Sequence, residues 1–336
     1  MKNKLLLTTA IASGMMISTA AFSDVKISGD IEQIYRSISY SLAAQDKNGG
    51  AGLGAETNIA ITYTGQLTNG LKVAAGSVLE DGTADTEFLT ISGEMISVTF
   101  GQDAGNNLSS TVVPHVSDQD GTLFGTTATN NGGTAVSFLN QYGGVAHNTR
   151  HVSLDAKAAG GTFTARYSPS TDTNRTSDSG IDTTGKSATE ILYAGSLGVA
   201  GLNVQVGQQI DYAKNSNVAG SDDAKLTKIG ASYNFGQITV GADQQSYDDG
   251  SSSNSDTKST RFAAVFAVND QIKIGARYTK TDIDGTTADE KLKTIEIGYN
   301  LGGLGIELSY GQGENLGGSS TATDIDVVQL RTRQAF

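Results

Sequence analysis

The chain is 336 residues long, with no Cys or Trp, two Pro, 42 Gly, and 35 acidic against 23 basic side chains, a formal charge of −12. The acid excess argues against a broad nucleic-acid surface, which needs clustered Lys and Arg, and the lack of Cys excludes disulfide frameworks, thiolate nucleophiles and Cys-ligated metal. A slightly polar mean hydropathy fits no bundle of membrane helices, but it is what a membrane barrel of alternating strands averages to.

The chain opens with Lys2 and Lys4, an apolar stretch from Leu5 to Ile17, and small residues at Ala21 and Ser23 flanking Phe22. Charged start, short apolar middle and small-residue exit are the parts of a secretory signal peptide, and the apolar part is too short to span a bilayer as a helix. Cleavage is expected before Asp24, so that residues 1–23 are a leader and 24–336 the mature chain, a single domain. Losing Lys2 and Lys4 makes that mature chain still more acidic.

From there on the period is two, the mark of strands with unlike faces. Ile59, Ile61 and Tyr63 alternate with Asn58, Ala60, Thr62 and Thr64; Leu202, Val204 and Val206 with Asn203, Gln205 and Gly207; Ile238, Val240 and Ala242 with Thr239, Gly241 and Asp243. The pattern continues with Ile272, Ile274, Ala276 and Tyr278 against Lys273, Gly275, Arg277 and Thr279, and with Ile306, Leu308 and Tyr310 against Glu307 and Ser309. Between strands, short Gly- and Asn-bearing turns (68–70, 92–94, 158–161, 197–201, 234–237, 268–271, 301–304) alternate with longer polar stretches (41–56, 79–85, 102–148, 169–187, 212–223, 248–256, 281–289, 314–322). The short set reads as tight hairpins. The count comes to about sixteen strands. A sheet of that size would leave long unpaired edges unless it closed on itself.

The fold class predicted is therefore all-β, a transmembrane antiparallel barrel of about sixteen strands. The polar second faces suit a watery lumen, whereas a soluble sandwich would need bulky apolar side chains there. Tyr63, Tyr167, Tyr193, Tyr233, Tyr278, Tyr299 and Tyr310 fall toward strand ends, where an outer-membrane barrel carries its aromatic girdles. The last strand sets Val328, Leu330 and Phe336 on one face, and Arg331 and Arg333 on the other.

The opening strand Val25-Lys26-Ile27-Ser28-Gly29-Asp30, the strand ending Thr99-Phe100-Gly101-Gln102-Asp103 and the closing Phe336 resemble, in order along the chain, the Gram-negative general-diffusion porins, and more closely their alphaproteobacterial branch. That resemblance implies an outer-membrane channel for passive diffusion of small hydrophilic solutes and ions, without catalysis or cofactor. It implies a homotrimer in contact with outer-membrane lipid and lipopolysaccharide, and a terminal Phe336 read by the outer-membrane assembly machinery. Gln334 stands where the family usually has an apolar or aromatic residue. The resemblance further implies that the third long loop, about 102–148, folds into the barrel as its constriction. Asp103, Asp118 and Asp120 lie on this loop. The basic residues facing the lumen by parity are Arg36, Lys72, Arg166, Lys273, Arg277, Arg331 and Arg333, candidates to oppose those acids across the pore.

Other constellations are weak. His147 and His151 are four apart at a loop–strand border, about 13 Å in a strand and too far to share a metal. The glycine-rich 49–54 lacks the Lys-Ser/Thr ending of a phosphate loop, and no Gly-x-Ser-x-Gly elbow occurs. Asp118 to Gly121 and Asp282 to Gly285 read as solvated turn acids; acidic loops could hold divalent cations such as calcium loosely between neighbouring lipid phosphates. The rival readings are a channel specific for one nutrient class, and a secreted β-rich surface or adhesin protein.

Overall fold

The computed structural model describes residues 21–41, 50–81, 83–102, 108, 112–116, 150–169, 187–211, 223–248, 250, 256–316 and 324–336. Among these there are sixteen strands: β1 Ala21–Tyr40, β2 Gly50–Gln66, β3 Lys72–Glu80, β4 Thr83–Ser92, β5 Ile96–Gln102, β6 His151–Ala158, β7 Gly161–Ser168 and β8 Ala188–Gly195, followed by β9 Leu202–Asp211, β10 Ala224–Asn234, β11 Ile238–Asp248, β12 Thr257–Ala267, β13 Ile272–Ile283, β14 Glu290–Asn300, β15 Leu304–Glu314 and β16 Ile325–Ala335. Each pairs antiparallel with its neighbours in sequence, and β1 pairs with β16 to close the barrel. Closure leaves no edge strand with unpaired amides, which is the condition for crossing hydrocarbon with β structure.

Register and exposure separate two faces. On β16, Val328 and Leu330 are exposed while Ile325, Val327, Gln329 and Arg331 between them are buried. On β8, Ile191 is 68% exposed and its neighbour Leu192 fully buried. The outward set includes Val25, Ile27, Leu154, Phe163, Val206, Ile229, Phe262, Ile295 and Leu308, all exposed. Each such side chain favours leaving water by about 1.5–3 kcal/mol, so this belt requires hydrocarbon around it. Of the seven tyrosines named above, Tyr63, Tyr167, Tyr233, Tyr299 and Tyr310 are exposed. Tyr193 instead folds into the short-turn end: its hydroxyl donates to Ala159 O at 2.8 Å and accepts from Leu197 N at 3.2 Å.

The short turns agree with expectation in position. Between β6 and β7 only Ala159 and Gly160 intervene, with φ of 51° and 72°, the doubly left-handed pair that a two-residue hairpin of matching twist requires. The 79–85 stretch differs from the expected long loop. β3 runs to Glu80 and β4 begins at Thr83, and Asp81 exchanges backbone and side-chain bonds with Thr57 of β2. Polar residues carry the ladder past the apolar part of these strands, because pairing and not hydrophobicity decides where a strand ends. For the same reason β2 begins at Gly50 and β13 runs to Ile283, inside stretches whose polarity suggests loop. In the β1–β2 ladder the register shifts once, between Phe22 and Asp24, at the expected cleavage point.

Candidate functional site

Part of the stretch that follows β5 lies inside the barrel. Its described residues, Leu108 and 112–116, lie against the inner wall, and their apolar side chains meet glycines. A Cβ added to Gly207 of β9 would stand 2.7 Å from Leu108 Cδ2; at Gly230 of β10, 2.5 Å from Val112 Cγ1; at Gly241 of β11, 2.6 Å from Pro114 Cδ. At Gly275 of β13 and Gly298 of β14 it would stand 2.6 and 2.5 Å from the two γ-methyls of Val116. Alternate side chains thus meet the wall in order around the barrel, Val112 at β10, Pro114 at β11 and Val116 at the β13–β14 pair. Leu108 also packs with Leu192 and Leu226, flanked by Tyr247, a small apolar core inside an otherwise polar lumen.

Charged side chains of the wall hold the segment by its backbone. Lys228 Nζ donates to Leu108 O at 2.9 Å, Leu108 N donates to Glu190 Oε2 at 3.4 Å, and Val116 N donates to Glu296 Oε2 at 3.1 Å. These groups belong to a belt of paired charges around the wall. Arg166 pairs with Glu190, both fully buried. Arg261 Nε donates to Asp243 Oδ1 at 2.7 Å, and Lys228 Nζ lies 3.9 Å from Asp243 Oδ2. Arg277 Nη2 donates to Glu296 Oε1 at 2.6 Å. Arg331 Nε donates to Glu32 Oε2 at 2.8 Å, and Arg333 Nη2 to Asp30 Oδ1 at 3.0 Å. Buried charges of this kind are tolerated only when each is matched by partners of opposite sign or by well-placed hydrogen bonds.

The basic candidates from parity thus all face inward, but not as one free ladder. Arg36 donates twice to Gln329 Oε1, at 2.9 and 2.7 Å. Arg166, Arg277, Arg331 and Arg333 are matched by wall acids. Lys72, at the start of β3, is exposed. Lys273 is also exposed and, with Val116, Glu307, Arg331 and Arg333, lines a cavity of about 390 Å³ toward the short-turn end. Asp103, Asp118 and Asp120 lie outside the described residues. Phe336, one residue beyond β16, bonds Gly29 of β1 through both backbone groups.

Sequence reasoning missed the acid half of the belt, Glu32, Glu190, Asp243 and Glu296, together with Lys228 and Arg261. Their signal was present as charge on alternate positions that share the lumen face. The glycine row was visible in the same way, since Gly207, Gly241 and Gly275 sit among the polar alternates. Only the fold shows what fills them. At the long-loop end Leu292, Ile325 and Val327, with Ile38, Tyr40 and Leu316, form a second apolar cluster on inward positions that a purely watery lumen would leave polar. No group of three or more His, Asp or Glu among the described residues is arranged to hold a metal ion.

Comparison with known proteins agrees with this architecture. The family model described as Gram-negative porin matches residues 8–318. Among solved structures, a porin refined at 1.8 Å has a TM-score of 0.63 at 15% identity, covering 93% of this chain and 100% of its own. A mutant of the Rh. blastica porin gives 0.58 at 16%, covering 93% and 100%. OmpT of Vibrio cholerae in its trimer form gives 0.60 at 16%, covering 93% and 99%. At these identities the structural likeness is one of fold. No curated protein matches the chain.

Proposed function

The chain belongs to the Gram-negative porin family, and from that premise we propose how its interior governs what passes. It is an outer-membrane barrel that lets small hydrophilic solutes cross by passive diffusion, a channel rather than an enzyme. The observation that carries this reading is the division of the wall into an exposed apolar exterior and a charged, hydroxyl-rich interior against which Leu108 and residues 112–116 are packed. Such an interior selects by width and by charge at the narrowest level.

In our reading the segment after β5 is the constriction, and the paired wall charges act first as its scaffold. Arginines matched by acids contribute little net field, so selection rests mainly on size. The overall acid excess adds a mild preference for cations. Asp103, Asp118 and Asp120 are the acids we assign to the constriction, with Lys72 and Lys273 as the basic side chains most open to solvent.

The mature chain begins at Asp24 in this proposal, supported by the leader's composition and the register shift between Phe22 and Asp24. The assembly is a homotrimer, supported by the trimer form of the Vibrio cholerae protein that shares this fold. Because two residues join β3 to β4, that hairpin offers no arm to a neighbour, and association rests on the apolar outer face. Phe336 serves as the assembly signal. No cofactor is required, and calcium is held loosely at most, by rim acids such as Asp282 and Asp284 bridging to lipid phosphates.

Planar-bilayer recording of the purified protein tests the reading. Stepwise, ohmic conductance that falls with increasing size of a neutral solute is expected, with a reversal potential on the cation side in a salt gradient. Folded protein that inserts and stays electrically silent overturns the channel reading. Saturable block by one sugar, phosphate or dicarboxylate would replace it with a nutrient-specific channel. Cross-linking in detergent that stops at three copies is expected; a species of one copy only overturns the trimer.

A further inference from the structure

We propose that Gly275 and Gly298 set the aperture of this channel, by forming the notch that fixes how far Val116 stands from the wall. The proposal rests on the channel reading above and adds to it the residues that determine size selection. Val116 sits astride two strands. Its Cγ2 occupies the space where a Cβ of Gly275 would be, 2.6 Å away, and its Cγ1 the space of a Cβ of Gly298, 2.5 Å away. Carbon atoms do not approach so closely without displacement.

The notch is closed on its third side by Glu296, the register partner of Gly275 and two residues before Gly298 on β14. Its Oε2 accepts the Val116 amide at 3.1 Å, while its Oε1 is held by Arg277 at 2.6 Å. Val116 cannot escape by rotation, since both γ-methyls are engaged and a β-branched side chain has few alternative rotamers. With both glycines of the wall behind Val116, the displacement away from them is toward the barrel axis. A methyl group at either glycine therefore narrows the opening.

Gly298 is the cleaner position, because Val116 alone lies within 4 Å of its added Cβ. Gly230 and Gly241 would also meet wall side chains of Asp243 and Ser232, so substitutions there mix two effects.

The test is single-channel conductance, with folding checked by the mobility of unheated protein on a gel. Gly298→Ala and Gly275→Ala are each expected to lower unit conductance by about 1.2- to 2-fold and to lower the size cut-off for neutral solutes. Gly298→Ala combined with Val116→Ala is expected to return both toward the parent value. Gly54→Ala, on the lumen face of β2 with open space around its Cβ, is the control and leaves conductance unchanged. If Gly298→Ala does not fold, Val116→Leu adds the bulk from the segment side and is expected to lower conductance likewise. Unchanged or raised conductance in the folded single variants, or no recovery in the double variant, overturns the proposal. A silent parent protein would instead sink the channel reading itself.

Discussion

Gly29 and Phe336 exchange both backbone hydrogen bonds, Gly29 N to Phe336 O at 3.1 Å and Phe336 N to Gly29 O at 2.9 Å. A Cβ at Gly29 would meet both the backbone oxygen of Asn58 on β2 and the Phe336 ring, whose Cζ would be 2.7 Å away. An aromatic ring covering a cross-strand glycine shields its backbone and adds packing at the seam. Here the seam is the last joint of the barrel. Gly29→Leu is expected to destabilise the folded barrel by about 1–3 kcal/mol through overpacking, read as a lower urea midpoint for refolding into detergent micelles. An unchanged midpoint would mean that the seam tolerates the side chain and that the ring cover is incidental.

The pairing of Glu32 with Arg331 permits a sharper comparison. Arg331→Met leaves a carboxylate that is 1% exposed with only Arg333 Nε, at 3.5 Å, as its cationic partner, and the expected cost is below the about 3–5 kcal/mol of a buried pair broken outright. The double variant Glu32→Leu/Arg331→Met removes both charges and is expected to recover most of the loss. Equilibrium urea unfolding of the two variants side by side checks this. A double variant no more stable than Arg331→Met would show that the belt matters for more than charge balance.

Lys228 is wholly buried and reaches the backbone of the inner segment at Leu108 O. Lys228→Met keeps the volume and deletes a charge-assisted bond of about 1.5–3 kcal/mol, while Arg261 still matches Asp243. The segment is then less firmly held, and the expected readout is greater open-channel current noise, with a loss of folding stability no larger than that bond. Noise equal to that of the parent would mean that the glycine seats and the bonds to Glu190 and Glu296 hold the segment without Lys228.

The lipid-facing assignment is checked at Ile229, which is 60% exposed on β10. Ile229→Arg places a charge in hydrocarbon and is expected to cost about 2–4 kcal/mol of folding free energy in bilayers. Gly54→Arg, on the lumen face of β2 with open space around its Cβ, is expected to cost less than Ile229→Arg. Equal penalties at the two positions would contradict the division of faces.

Much of this molecule follows from local rules. Two-residue alternation such as Ile272 to Thr279 shows which side chains share a face, and Gly-bearing turns such as Ala159-Gly160 follow from the backbone twist that tight hairpins need. The strand number, the closed barrel and the inward orientation of Arg36, Arg166, Arg277 and Arg331 are consequences of those patterns. Strand ends were less legible at 79–85, because Asp81 is held by Thr57 across the ladder and polarity alone reads as loop.

What alternation cannot supply is the partner that barrel closure brings alongside. Glu32 and Arg331 are 299 residues apart in sequence, and no local period links them; they meet because the sheet closes and places β1 beside β16. Val116 and the glycines of β13 and β14 are related in the same way. A glycine on a lumen face is compatible with open water or with a seat for a side chain, and the two read alike along the strand. The wall's composition was decided residue by residue by the sequence, whereas the contents of its hollows were decided by side chains packed back against the wall. Such non-local packing depends on shape fit in three dimensions and leaves no periodic trace in one.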